Sequence, residues 1–463
     1  MSAEAYDVVV VGAGVIGCAI ARELSRYELS AVLLEANTDL GDGASKGNTA
    51  LMCSGYDTPE GTLERRLVTR GYQRYLSEAP DLGLPIRKIG AATFAWTDEE
   101  AVVLAEEQRA AQLGGFTSVR LLDEAEFKRR WPGVAPGAIA ALWAPDEAIV
   151  DPFSTPVAYA LDALANGVAY RPSAPVTGAR RDGMSWVLEA GAVPIRGRVV
   201  VNAAGLCADR VDAMAGFADF RIRPRRGEYI LYDKSARSLI DVIAKPAPNP
   251  NSRGILVTPT IFGNVLVGPT AEPVADSDDR RVTEVGLRQL NAAMTRLLPA
   301  LRDHAVTTCF AGMRPATDDP RYQIIPRPES SWFTVAGIRS TGLSAALGVA
   351  EHVLGQIVPA VLPASRKNQH RKAAMPSLSE FEPRPWADGE LIGEDRRFAE
   401  IVCHCERVSL GEIVAALQSP LRPRSVKALK RRTRAMFGRC QGFYCGARVL
   451  QLFEASADAG QPG

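Results

Sequence analysis

The sequence predicts an α/β protein: a Rossmann-like dinucleotide-binding unit, a second unit built on an antiparallel sheet, and a small cysteine-rich unit near the C-terminal end. Three observations predict it. Gly12-x-Gly14-x-x-Gly17 falls between an apolar run at residues 7–11 and a helical stretch at 15–26. Residues 225–315 are rich in Val, Ile, Thr, Tyr and Gly at strand-like spacing. Cys403-x-Cys405 and Cys440-x4-Cys445, with 34 residues between them, place four thiols on one short segment.

The 463-residue length exceeds one ordinary core and predicts two or three units. With 46% hydrophobic and 23% charged residues the composition is that of a soluble globular chain, and a net charge of +1 gives no global pull toward nucleic acid or an anionic membrane. No apolar run approaches the roughly 20 residues of a membrane span. The start, Met1-Ser-Ala-Glu-Ala-Tyr-Asp7, is acidic and lacks a basic region followed by an apolar one, so no secretory signal is expected and the chain reads as cytoplasmic. In a reducing compartment, paired thiols point to metal or redox work rather than structural disulfides. The four scattered cysteines divide: Cys18, Cys207 and Cys309 read as small buried hydrophobes, and Cys53 falls in a chemically sensitive place.

In chain order, residues 7–11 predict a strand buried on both faces, because the run is apolar without alternation. Residues 15–26 predict a helix and 31–34 a second strand, giving β-α-β. Residues 157–201 read as β-rich, ending in a strand at 198–201. Within 225–315, strands are expected at 229–232, 254–258 and 265–267. Residues 332–336 predict a strand, then a glycine-punctuated turn and a helix at 344–358. From 363 to 398 prolines, few aliphatics and the basic residues Arg366, Lys367, Arg371 and Lys372 mark a linker or irregular strap. Residues 399–453 form the third unit, with a capping box at Ser409-x-x-Glu412 and a second helix at 425–437 stopped by Gly438. Residues 454–463 read as a disordered tail.

Gly12, Gly14 and Gly17 would permit a tight turn and close backbone approach to a pyrophosphate on the helix N-terminus, and Glu35, 18 positions after Gly17, would bind a ribose diol. Such a fingerprint serves NAD as well as flavin proteins. Four further motifs narrow it: Asp42-Gly-Ala-Ser-Lys-Gly-Asn48, Val200-Val-Asn-Ala-Ala-Gly205, Phe310-Ala-Gly-Met-Arg-Pro315 and Ala336-Gly-Ile-Arg-Ser-Thr-Gly-Leu343, in that order. Over about residues 5–360 the chain resembles the D-amino-acid oxidase/glycerol-3-phosphate dehydrogenase superfamily. That resemblance implies FAD in a split Rossmann-like domain, the flavin ring lying against an antiparallel substrate domain interleaved with it within residues 1–362. It implies that Ser45 and Asn48 contact the pyrophosphate and ribityl region, that Ala204 and Gly205 pass close to the cofactor, and that Val176 meets the adenine through its backbone. Gly337, Gly342 and Leu343 would set a helix N-terminus at the flavin pyrimidine end, where reduced flavin is anionic.

On the substrate side, the resemblance implies Arg314 near substrate or flavin, Arg339 at the flavin edge and Tyr229 in the substrate domain. Arginines favour a small anionic substrate. Met52-Cys53-Ser54-Gly55 departs from the pattern: many glycerol-3-phosphate and 2-hydroxyglutarate relatives carry a histidine at the position of Cys53. A neutral thiol is a poor base, which keeps amine or amino-acid substrates open beside alcohols.

Four thiolates suit a [2Fe–2S] cluster or structural zinc; C-x-C spacing is the less comfortable of the two for zinc. Ile401-Val-Cys-His-Cys-Glu-Arg-Val-Ser409 with Gly438-Arg-Cys-Gln-Gly-Phe-Tyr-Cys445 resembles the bacterioferritin-associated ferredoxin-like [2Fe–2S] domain of anaerobic glycerol-3-phosphate dehydrogenase large subunits. Cys403, Cys405, Cys440 and Cys445 would then ligate the cluster. The implied activity is an FAD-dependent dehydrogenase rather than an oxidase. Its electrons would leave through the cluster to a partner protein, such as a second flavoprotein, that holds the complex at the inner face of the membrane. A zinc-binding sensor or scaffold and an NAD-linked dehydrogenase are the alternatives from other classes. Nine Lys or Arg and no acid between 420 and 450 are expected to offset the cluster's charge or to dock an acidic redox partner, not nucleic acid.

Overall fold

A computed structural model of the chain describes residues 3–248 and 253–458. Two sheets organise it. In the first, the strands Ala169–Arg171, Ala31–Leu34, Glu4–Val11, Ile195–Asn202 and Trp332–Ala336 run parallel in that order. Residues 8–11 are buried on both faces, as an apolar run without alternation requires. The strand Ile195–Asn202 pairs with Trp332–Ala336 through its last residues and with the hairpin strand Ser185–Ala190 through its first. The helices Val15–Leu24, Ser154–Ala165 and Gly342–Ala360 pack on one side of this sheet in a single core with Leu63–Glu78. A buried ion-pair network fastens them: Arg22 reaches Asp162 at 2.8 Å and also pairs Glu78, and Arg74 holds Glu23 at 2.8 Å.

Residues 31–34 and 332–336 form strands with the expected bounds. Other expectations are corrected. The stretch 157–201 opens as the helix Ser154–Ala165, whose small and apolar residues are buried all round; such a run does not tell a buried helix from strands. The helix Gly342–Ala360 is long and apolar enough by composition to cross a membrane, but most of it is buried in the core of the first domain.

The second sheet has nine strands: Glu272–Pro273, Ile222–Tyr232, Val265–Gly268, Leu256–Pro259, Ile243–Pro246, Ala91–Ala95, Ala140–Ala144 and Arg120–Leu122 in order, with Val306–Thr317 also on Ile222–Tyr232. It is antiparallel apart from one parallel pair, Ile243–Pro246 on Ala91–Ala95. Three strands come from residues 91–144, outside the 225–315 stretch, and that stretch itself contains the helix Glu284–Leu297. This helix is capped by Thr283, whose side chain accepts from Gly286 N, and it packs Leu290 and Met294 beneath the sheet.

Residues 363–398 are a strap. Met375 N donates to Leu82 O in the first domain, Glu380 N to Ile261 O in the second, and buried Arg384 binds Glu412 of the cysteine unit at 2.7 Å. That unit has two short strands, Ile401–Cys403 and Val408–Ser409, and the helices Leu410–Gln418, Val426–Thr433 and Gly446–Asp458. The Ser409–Glu412 capping box forms. The second helix is shorter than expected and ends where Arg434 turns left-handed (φ 69°). The tail expectation is overturned up to Asp458, which is helical; residues 459–463 lie outside the described ones. Of the scattered cysteines, Cys18 is buried, but Cys207 is only half-buried and Cys309 is exposed.

Candidate functional site

A cavity of about 1280 Å³ runs from the glycine turn to the inner face of the second sheet. At its first end the local chemistry is steric. Gly12 has φ +101°, and a Cβ there would lie 2.6 Å from Ala203 O. A Cβ on Gly17 would lie 1.8 Å from Gly12 O, so this glycine lets the helix pack on the turn and does not itself line the cavity. Gly14 stands at the N-cap of Val15–Leu24, where no side chain of its own can bond the helix. Ser45 reaches in instead: its Oγ accepts from Val15 N at 2.9 Å. Glu35 Oε2 accepts from Ala13 N and Oε1 from Asn37 N, each at 2.9 Å, so the acid is held rigid at the cavity wall. Asn37 Nδ2 also donates to Oε1 at 2.9 Å, so of a carboxylate's roughly four acceptor sites about one is left for a ribose hydroxyl. Burial pushes the Glu35 carboxyl up, with the two amides opposing it.

Asn48 shapes the next loop: its Nδ2 donates to Ser45 O at 2.7 Å and its Oδ1 accepts from Ala50 N. Gly47 and Gly312 lie so close that a Cβ on Gly312 would sit 1.9 Å from Gly47 O, which presses the loop against the strand Val306–Thr317. Val176, Ala204, Gly205, Gly337, Gly342 and Leu343 all line the same cavity. The helix Gly342–Ala360 has no side-chain cap at its start, and its first amides face the cavity end expected to hold the flavin pyrimidine. The glycine turn, a rigid acid where a ribose is expected, and the uncapped start of Gly342–Ala360 on one elongated cavity fit FAD.

At the other end stand the expected substrate residues. Arg314 lies opposite Arg225 in adjacent strands, and its guanidinium donates to Thr270 O at 3.1 Å. Tyr229 is buried and stacks on Phe310, centroids 4.7 Å apart. Arg339 comes within 4.0 Å of Glu64. Cys53 lies on the wall with its backbone N–H donating to Ser344 Oγ at 2.8 Å. Burial, with Glu147 and Asp57 nearby, pushes the Cys53 thiol far above its ordinary range, so it stays neutral and is no base.

Sequence reasoning missed a buried polar group on the same wall. Lys245 Nζ donates to Tyr56 Oη at 2.8 Å and lies 3.5 Å from Asp57, which Arg253 also approaches at 3.5 Å. Burial opposes the Lys245 charge, but Tyr56, Asp57 and Glu147 outweigh it and hold the ammonium protonated. Glu147 receives the backbone N–H and the hydroxyl of Ser54 at 2.8 and 2.6 Å, and burial pushes its carboxyl up to about 7. One signal was available for the first of these: Lys245 interrupts the apolar run Val242-Ile243-Ala244. Glu147 and Asp57 carried none, because only folding brings them to the cavity.

The four module cysteines interact most strongly in two pairs, Cys405 with Cys440 and Cys403 with Cys445. The backbone amides of Gly442, Phe443 and Tyr444 point at the Cys440 sulfur. Among the described residues no three or more His, Cys, Asp or Glu side chains gather closely enough to hold one ion. A single tetrahedral zinc needs all four sulfurs within roughly 3.8 Å of one another, whereas a two-iron cluster spreads them. Two thiol pairs with amides aimed at sulfur therefore fit the [2Fe–2S] centre better than zinc. The module sits on the flavin half through buried charge: Arg432 and Arg431 reach Asp39 at 2.5 and 2.9 Å, and Arg431 reaches Asp42 at 2.7 Å. Phe437 stacks on Phe153, centroids 5.5 Å apart, and Arg434 covers Phe262. Part of the basic segment is thus spent inside the chain.

Residues 7–355 match the family described as FAD dependent oxidoreductase, and residues 401–455 match the BFD-like [2Fe-2S] binding domain. The chain is 33% identical over 453 residues to a glycerol 3-phosphate dehydrogenase of Caloramator mitchellensis, covering 96% of this chain and 93% of the relative. It is 26% identical to one subunit of the anaerobic glycerol-3-phosphate dehydrogenase of Escherichia coli K12, covering 98% of this chain and 90% of that one. Among solved structures it resembles the dithionite-reduced, FAD-bound L-α-glycerophosphate oxidase of Mycoplasma pneumoniae, with a TM-score of 0.75, 25% identity, and coverage of 81% of this chain and all of that one.

Proposed function

The chain belongs to the FAD dependent oxidoreductase family and carries a [2Fe–2S]-binding domain; from that premise we propose that its substrate is a small alcohol bearing a phosphate or carboxylate, of the glycerol 3-phosphate type. One observation carries this reading: the cavity ends among Arg225, Arg314, Arg339 and Lys245. Guanidinium groups bind phosphate or carboxylate bidentately, and an ammonium kept protonated adds a fixed positive charge. FAD held by the glycine turn and Glu35 would supply a hydride acceptor, and a cluster on Cys403, Cys405, Cys440 and Cys445 would supply one-electron transfer to a protein partner. Tyr229 walls the site with a stacked ring, and Arg314 orients the anion. The hydroxyl proton needs an acceptor. Cys53 is unsuited to that role, and Glu147, a buried carboxyl poised near neutrality on the same wall, is suited to it.

The test is anaerobic bleaching of the flavin band by glycerol 3-phosphate, 2-hydroxy acids and amino acids side by side. Glycerol 3-phosphate should bleach it, and Arg314→Ala should slow that step by about 100-fold or more. Normal reduction in Arg314→Ala would overturn the site. The neutral Cys53 thiol gives a specific reason to keep amines in the panel, since hydride loss from a neutral amine needs no base; bleaching by an amino acid alone would favour that reading. As a soluble partner-dependent dehydrogenase, the chain would work from the cytoplasm, meeting a membrane only through its partner.

A further inference from the structure

The cysteine module has an inner and an outer side. Cys403 and Cys445 are buried, while Cys405 is exposed and Cys440 half-buried. The loop between Cys440 and Cys445 carries two aromatic side chains with no protein cover: Phe443 is 84% and Tyr444 79% exposed, and their rings meet edge-on at 5.3 Å. Ala447 and Leu450 follow at helical spacing on Gly446–Asp458, and both are exposed. Large rings left in water beside a redox centre form an apolar patch of the kind that marks a contact surface.

The charge around the patch says what covers it. Between residues 401 and 453 the only acids are Glu406 and Glu412, and both are buried and neutralised inside the chain, by Arg434 and Lys234 and by Arg384. The exposed cations are Arg407, Arg424, Lys427, Arg439 and Arg448. Arg407 reaches Glu380 of the strap, and Arg439 reaches Asp233 of the flavin half. Arg424, Lys427 and Arg448 have no ion pair among the described residues. The module's solvent face is therefore apolar at its centre and mainly cationic at its rim, Glu454 on the same helix being the nearest exposed acid in sequence.

We propose that Phe443 and Tyr444, rimmed by Arg448 and its neighbours, form the docking surface for an acidic one-electron redox protein. The aromatic pair would supply the desolvated anchor and the arginines the steering. This rests on the reading that electrons leave the chain through the cluster. One electron passes from the reduced cluster to the partner's oxidised centre; the cluster is oxidised, the partner reduced, and no bond or proton moves.

The probe is oxidised cytochrome b5, an acidic haem protein, with basic cytochrome c and ferricyanide as controls. The holoprotein is reduced with dithionite, excess reductant is removed, and haem reduction is followed by stopped flow. A second readout needs no turnover: calorimetric titration of the oxidised protein with oxidised cytochrome b5, at low and high salt. Wild type should bind and reduce cytochrome b5, with both weakened by salt. Phe443→Ser/Tyr444→Ser, and separately Arg448→Glu, should weaken both by about tenfold or more. Ferricyanide reduction and the cluster's visible absorbance should be unchanged. Wild-type behaviour in both variants, absent or salt-insensitive binding by wild type, or a preference for cytochrome c would overturn the proposal. So would binding of a single-stranded oligonucleotide with the same residue dependence. Because dithionite replaces the substrate, a wrong substrate assignment leaves this result standing, and a failed docking test leaves substrate bleaching intact.

Discussion

The two ends of the chain build their sites by opposite means. The dinucleotide cradle is made of backbone: Gly12, Gly17, Gly47 and Gly312 are required because the chain passes too close to itself for a Cβ. The cysteine module is made of side chains, thiols within it and arginines beneath it, and is seated by charge on Asp39 and Asp42, the latter in the loop that runs on to Ser45 and Asn48. The first kind of site tolerates no added volume. The second tolerates volume but not the loss of a partner, since a buried arginine stripped of its carboxylate has no water to turn to.

That contrast can be broken most severely at Gly17. Gly17→Val puts side-chain atoms into the turn and should abolish FAD binding, read as loss of the flavin released when the purified protein is denatured; retained FAD would mean the cradle is softer than its geometry. Next comes Asp39→Ala. It leaves Arg431 and Arg432 buried with one acid fewer and should cost about 3–5 kcal/mol at the seat of the module. Limited proteolysis should then cut within 363–398 at a faster rate, while FAD stays bound; unchanged protection would show that Phe437 on Phe153 suffices.

Glu147 tests the boundary between the two kinds of site, a side-chain group inside the flavin half. Its folded pKa, about 7, lies above the ordinary 4.5, so the protonated form favours folding. Its contribution is complete below about pH 4.5 and is lost as pH rises through about 7. Glu147→Gln should flatten that dependence, removing a stability change on the order of 3 kcal/mol across the window. Thermal unfolding across the window checks it, and an unaltered slope would place the proton elsewhere. The smallest effect belongs to Ser409→Ala, which removes the capping box of Leu410–Gln418 and should cost about 1 kcal/mol, measured by denaturant unfolding of the module.

The residues legible in the sequence were those whose task is local. Gly12, Gly14, Gly17 and Glu35 announce themselves by spacing, and so do Cys403, Cys405, Cys440 and Cys445. The strands 31–34 and 332–336 were readable because each is a short apolar run bounded by turn-formers. The helix Ser154–Ala165 was not, because a helix buried all round has no polar face to reveal its period. The strands at 91–144 joined the second sheet unannounced, since pairing with Ile243–Pro246 is decided by registry over about 150 residues of chain.

By itself, then, the sequence determined a nucleotide cradle and a four-thiol site, because close backbone approach and metal-thiolate ligation each demand particular residues at short, fixed intervals. Only the tertiary structure decided that Lys245, Tyr56, Asp57 and Glu147 share one wall, that Asp39 receives Arg431 and Arg432, and that Phe443 and Tyr444 stay in water. These are matters of burial and charge between residues far apart in the chain, and a linear order of residues carries no measure of the dielectric that each side chain will meet.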